Sequence, residues 1–148
     1  MGKLLIVNTG PVGAAVGREV QPEELARAVS ERLSEYKVAA VYYCPLPGAE
    51  DMARHIAGRF GLQVEPLPGL SEATAATLDD LAVKHKKETV VIISEQSLSV
   101  TMLLYLLGLN SKHYGQIDQQ PGSVNLFEFR LGVPSALLIN DTCHLRNL

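Results

Sequence analysis

Asn8-Thr9-Gly10 is the first point in this 148-residue chain where polar groups stand at a position suited to chemistry. The three residues follow Lys3-Leu4-Leu5-Ile6-Val7, an apolar run that reads as a strand buried on both faces. In an open parallel α/β sheet, ligands bind at the loop leaving the carboxyl end of such a strand. The Thr9 hydroxyl becomes a nucleophile wherever a base activates it, so this tripeptide is the first to ask about function.

Other reactive residue types are sparse. Cys44 and Cys143 are too few for a disulfide framework and are not spaced as zinc ligands, so both are expected to behave as small apolar residues. His85 and His113 are expected at the surface, and Arg18, Arg54 and His55 on solvent-facing segments. Gly10, Gly13 and Gly17 do not make the G-x-G-x-x-G pattern, and no helix begins on them, so a dinucleotide loop is excluded.

The elements that must position Asn8-Thr9-Gly10 follow in order. Pro11 to Val20 reads as a loop, and Gln21-Pro22-Glu23-Glu24 as a helix start, with proline in the first turn and acids at the positive end of the dipole. Leu25, Ala26, Val29 and Leu33 form its apolar stripe. Val38 to Tyr43 is a second buried strand, and a helix follows from Gly48 to Phe60, stopped by Gly61. Gln63 to Pro66 is a short edge strand bounded by prolines. A helix around Leu78 to Lys84 ends in Lys84-His85-Lys86-Lys87, read as a solvated terminus.

Thr89 to Ser94 is the third strongly buried strand. Glu95-Gln96 follows, then Ser97 as the expected N-cap of an apolar helix through Leu107, closed by Gly108. Asn110 to Gly122 is a polar connector. Ser123 to Arg130 alternates strictly, as a half-exposed strand does, and Ala136 to Asn140 is a last strand joined to it as an antiparallel pair. The alternation of strands and helices predicts a three-layer α/β sandwich, with a mainly parallel central sheet and helices on both faces.

Bulk properties narrow the function classes. The length suits one domain. A net charge of -3 gives no reason to expect nucleic acid or an anionic membrane as partner. Aromatic residues are 5% with no Trp, which argues against a stacking platform for bases. No apolar run approaches the ~18 residues of a membrane span. Met1-Gly2-Lys3 leads straight into the first strand without a signal-peptide pattern, so a cytoplasmic location is expected. No cofactor and no resident metal are expected.

Set side by side, the buried strands and the residues after each resemble the histidine phosphatase superfamily, with its phosphoglycerate mutase-like fold. The family's first strand ends in Arg-His-Gly; here it ends in Asn8-Thr9-Gly10. Its second strand ends in Ser-Ser-Pro-Leu ahead of a helix, which is similar to Tyr43-Cys44-Pro45-Leu46 ahead of Pro47-Gly48-Ala49. Leu70-Ser71-Glu72 matches a family Leu-x-Glu, and Ile93-Ser94-Glu95-Gln96 stands where the family has Val-Ser-His-Gly. Ile139-Asn140-Asp141-Thr142-Cys143-His144-Leu145 looks like its Asn-Asp-x-x-His-Leu ending. The resemblance covers essentially the whole chain in order, with about sixteen residues between Glu72 and the next strand, where larger members insert much of their lid.

The resemblance implies a phosphoryl-transfer pocket in which a histidine attacks phosphorus, a second histidine and two arginines hold its oxygens, and an acid protonates the leaving group. Carried over, the nucleophile's position is Thr9, the adjacent arginine is Asn8, the second arginine falls at or next to Gly48, and the second histidine is Glu95. Only the acid, Glu72, keeps its type, and His144 is expected to tie down the final strand. An arginine fork grips phosphate two oxygens at a time, and none is left at these positions. A carboxylate about 5 Å from a phosphate charge at an effective dielectric of about 20 repels it by roughly 3 kcal/mol. Losing the nucleophile alone typically costs on the order of 10⁴ to 10⁶ in rate.

These substitutions imply a degenerate member without catalysis by the family's mechanism, a pseudoenzyme with a binding or regulatory role. One alternative is altered phosphatase or hydrolase activity through Thr9, with Glu72 or Glu95 as base, or through a metal held by Glu72 and Glu95. Against the metal stands the simpler expectation that both carboxylates are solvated or bonded to backbone amides. The other alternative is a sensor of a small neutral or cationic ligand. The partner is thus an unknown small molecule or protein. A homodimer through an uncovered sheet edge or an apolar helix face is compatible with the sequence, although no stripe exceeds what the core uses.

Overall fold

Strands rich in Val, Ile and Leu with no polar interruption need cover on both faces, and this chain provides it with helices packed in pairs. The computed structural model describes residues 1–10, 21–146 and 148. The sequence reading of Pro11 to Val20 as a loop, Gly13, Gly17 and Arg18 included, lies outside these residues.

The elements run β1 (Lys3–Asn8), α1 (Pro22–Leu33), β2 (Val38–Tyr43), α2 (Ala49–Arg59), β3 (Val64–Pro66), α3 (Thr74–Lys84), β4 (Thr89–Ser94), α4 (Gln96–Leu107), β5 (Val124–Arg130) and β6 (Val133–Asp141). Short 3-10 turns cover Pro68–Leu70, Ser111–Gln116 and Cys143–Leu145. The six strands form one sheet in the order β3-β2-β4-β1-β5-β6. β3, β2, β4 and β1 are mutually parallel, while β5 runs antiparallel to both β1 and β6. This is the expected three-layer α/β sandwich.

Side-chain alternation divides the core. Leu5, Val7, Val41, Val91 and Ile93 point to one face and meet Val29 and Leu33 of α1 and Met52, Ala53 and Ile56 of α2. Leu4, Ile6, Tyr42, Val90 and Ile92 point to the other and meet Leu78 and Leu81 of α3 and Leu98, Met102 and Leu103 of α4. Burying each large aliphatic side chain stabilises the fold by about 1.5–3 kcal/mol before conformational entropy is counted. Among the described residues, no helix is long and apolar enough to cross a membrane.

Several local expectations are corrected. β5 is not half-exposed: Val124 to Phe127 are buried in succession, because the strand lies between β1 and β6 with a layer on each side. Its polar residue Asn125 is accommodated by a reciprocal amide pair with Gln119, 2.8 Å in each direction, and by donating to the Ile6 carbonyl. β6 is longer than Ala136 to Asn140, and α3 begins at Thr74. His85 is buried rather than solvated, its ring held between the Tyr42 hydroxyl at 2.7 Å and Glu88 at 2.9 Å. Cys44 is buried as expected, but Cys143 is exposed, its sulfur accepting a hydrogen bond from Arg32.

Candidate functional site

Parallel register brings the carboxyl ends of β1, β2 and β4 together. Asn8 lies beside Ser94, and Tyr43 beside Ile93. Past the last paired residues, Thr9 N–H donates to the Ser94 carbonyl at 2.9 Å, Cys44 N–H to the Ile93 carbonyl at 2.9 Å, and Gln96 N–H to the Gly10 carbonyl at 3.1 Å. The three chain ends are therefore stitched together by main chain before any side chain is considered.

Asn8 is fully buried and bonded through both its amide nitrogen and its amide oxygen. Its amide nitrogen donates to the Gln120 carbonyl at 3.1 Å, and its oxygen accepts from Gly10 N–H and from the Ser99 hydroxyl, both at 3.3 Å. The Ser99 hydroxyl also lies 2.6 Å from that of Ser94. Thr9 donates its hydroxyl to the Ser94 carbonyl at 3.3 Å. Gly10 adopts φ 107°, and a Cβ there would come within 3.0 Å of Pro121, so conformation and space both require glycine.

Glu95 replaces the expected Ser97 as N-cap of α4. It is only 6% exposed, and its carboxylate accepts from Ser97 N–H and Leu98 N–H, each at 2.8 Å, and from the Ser97 hydroxyl. Its β-region backbone, with φ -79° and ψ 172°, is the conformation that lets a cap turn back on the first turn. The N-terminus of a helix is a ready-made anion site, and here the chain's own carboxylate fills it. The same charge reaches Cys44: burial first, and Glu95 second, push that thiol up to about 11, so it stays protonated and poorly nucleophilic.

Gly48 and Glu72 are placed differently. Gly48 is the exposed N-cap of α2 at φ 90°. It borders an open hollow of about 400 Å³ lined by Tyr43, Pro45, Leu46, Pro47, Glu50 and Asp51. Arg54, one turn further along α2, is paired with Glu50 and not with the strand ends. Glu72 is exposed in the turn before α3, and among the described residues no hydrogen bond or ion pair joins it to Glu95. Also among the described residues, no group of three His, Cys, Asp or Glu side chains is gathered as a metal site, and no buried side-chain polar atom lacks a partner.

His55 and His144 have framework roles, while His113 bonds only the Asn110 carbonyl of its own turn. His55 shares a 3.0 Å hydrogen bond with Ser30, joining α2 to α1. His144 Nε2–H donates to the Gly122 carbonyl at 2.8 Å, leaving Nδ1 to accept from Arg32, and burial before other causes lowers its pKa. Sequence reasoning missed Ser94 and Ser99, whose hydroxyls support Asn8 from below. Ser99, a polar residue inside an otherwise apolar helix, was the available signal.

The fold and the converging strand ends define a phosphoglycerate mutase-like α/β protein. The sequence matches the histidine phosphatase superfamily (branch 1) over residues 21–75 and 73–142, and the chain belongs to that family. Phosphoserine phosphatase from Entamoeba histolytica, solved with 3-phosphoglyceric acid, is similar with a TM-score of 0.81 at 21% identity, covering 98% of this chain and 100% of that one. The mycobacterial glucosyl-3-phosphoglycerate phosphatase in complex with VO3 is similar with a TM-score of 0.75 at 15% identity, covering 96% and 100%. Bacillus stearothermophilus YhfR gives 0.77 at 14%, covering 97% and 99%. No protein of curated function matches this sequence.

Proposed function

We propose that this member of the superfamily is a catalytically silent scaffold, a pseudoenzyme with a binding or regulatory role. The observation that carries the reading is Glu95, a carboxylate buried at the end of β4 and bonded to the first turn of α4, where the family's resemblance calls for a phosphate-holding histidine. An incoming phosphate would have to displace that carboxylate and then sit beside it, at a repulsion of roughly 3 kcal/mol. Thr9 supports the same reading: its hydroxyl donates to the Ser94 carbonyl, and among the described residues no base is bonded to it. We take the cytoplasm as its compartment, which suits two free cysteines.

The test is turnover of phosphoserine, an aryl phosphate and a phosphohistidine peptide. No activity above a heat-denatured control is expected. Turnover that disappears in Thr9→Ala overturns the reading.

A second reading is supported by the hollow beside Gly48, where the Asp51 carboxylate stands beside Tyr43, Pro45, Leu46 and Pro47 and Glu50 is neutralised by Arg54, a lining that suits a neutral or cationic small molecule better than a phosphate. In a thermal-shift screen, amines should raise Tm and phosphates should not. The reverse pattern would contradict it.

A further inference from the structure

β2 has a hollow at each of its ends, and the two carry opposite charge. The one at its carboxyl end, beside Gly48, has Asp51 as its unpaired charge. The one at its amino end, of about 450 Å³, lies between the connection from α1 to β2 and the end of α2. Its lining includes Tyr36, Lys37, Val38, Arg59, Phe60 and one carboxylate, Glu35. That volume falls within the ~300–1,000 Å³ of small-molecule sites. Val38 is buried, and the half-buried Tyr36 and Phe60 side chains pack on the core between α1 and α2, so the wall is apolar and held from behind.

The cations here are not consumed by the framework. Lys37 and Arg59 are exposed, and among the described residues neither enters an ion pair. Basic side chains near helix ends often bond the last carbonyls. Main-chain groups take that part here: Ser34 N–H bonds the Glu31 carbonyl and Tyr36 N–H the Leu33 carbonyl after α1, and Phe60 and Leu62 N–H both bond the Ala57 carbonyl after α2. Lys3 Nζ stands 5.8 Å from the centre of the Tyr36 ring and brings a third positive charge to that side. Burial first, and Glu35 second, raise the Tyr36 pKa, so its phenol keeps a proton to donate.

We propose that this hollow is a second binding site, for a small anion with a flat apolar body. Lys37 and Arg59 take the anionic group, for which the planar guanidinium offers two parallel donors, and Tyr36 and Phe60 take the body. A bare inorganic anion would leave the rings uncovered, and a neutral ring would leave the cations unmet. Carboxylates and phosphate-type groups share this chemistry. The site lies at the opposite end of the parallel strands from Asn8, Thr9 and Glu95, so it stands whether or not the strand ends are silent. Both cations face solvent, so affinity is modest, with a Kd on the order of 0.1–1 mM.

The test is titration of the full chain, followed by amide chemical shifts, with indole-3-acetate for the carboxylate class and phenylphosphonate, which cannot be hydrolysed, for the phosphate class. Saturable shifts are expected at Tyr36, Lys37, Phe60 and Gly61, with Thr9 and Gln96 unmoved. Binding of one probe alone supports the site and assigns its class. Acetate, inorganic phosphate and indole-3-ethanol, each lacking one half of the ligand, should bind at least about tenfold more weakly. Lys37→Ala and Arg59→Ala, both at exposed positions, should each weaken binding about three- to fivefold with an unchanged circular dichroism spectrum. No saturation by either probe up to about 10 mM, shifts centred on Thr9 and Gln96, binding indifferent to both alanines, or equal binding of the ring-free anions would overturn the proposal.

Discussion

The strand-end residues of the site and its outer residues are held in contrasting ways. Asn8, Thr9, Gly10 and Glu95 are tied to one another's strands and helices through hydrogen bonds, and among the described residues no buried side-chain polar atom is left unmatched. Gly48 and Glu72 are exposed, and the cation nearest Gly48 along α2, Arg54, is committed to Glu50. A pocket built to receive a charged group holds polar atoms ready at its centre. Here the strand-end side chains are bonded to framework atoms, and the exposed positions lie at the rim. On the reading proposed above, the residues at the strand ends serve stability.

Substitutions should divide along that line. The largest effect is expected for Asn8→Ala, which leaves a cavity, strands Gly10 N–H and takes one partner each from the Gln120 carbonyl and the Ser99 hydroxyl; unfolding in denaturant should show a loss of about 3 kcal/mol. A loss below about 1 kcal/mol would mean that the centre is not framework. Glu95→Ala removes the cap of α4 and should cost about 1–2 kcal/mol by the same measurement. At the rim, Glu72→Ala should shift stability by less than about 0.5 kcal/mol. A larger change there would erase the distinction between the two sets of residues.

Much of the fold was legible because its strands are extreme. Leu4 to Val7, Val90 to Ile93 and Val41 to Tyr43 leave no periodicity to misread, and Gly61 and Gly108 stop their helices where helix-ending glycines are expected. β5 was misread because alternation ordinarily means one wet face. In this strand the polar alternates Ser123 and Asn125 bond to Gln119, a partner that no local pattern announces. His85 was misread for a similar reason, since a histidine among lysines looks solvated until Tyr42 and Glu88, far and near in sequence, close around it. The strand ends themselves could be located from the family-like order of motifs. The inward turn of Glu95 could not, because Ser97 is the better N-cap by residue type and glutamate's longer side chain wins only through two amides and a hydroxyl together.

One consequence of that inward turn concerns competition. A carboxylate tethered one bond network away from the amides it caps is present at an effective concentration that no freely diffusing anion matches, and it has surrendered little rotational freedom to be there. Inorganic phosphate, sulfate and nucleotides in the surrounding solution therefore meet a terminus already saturated from within, and raising their levels would leave α4 indifferent to them.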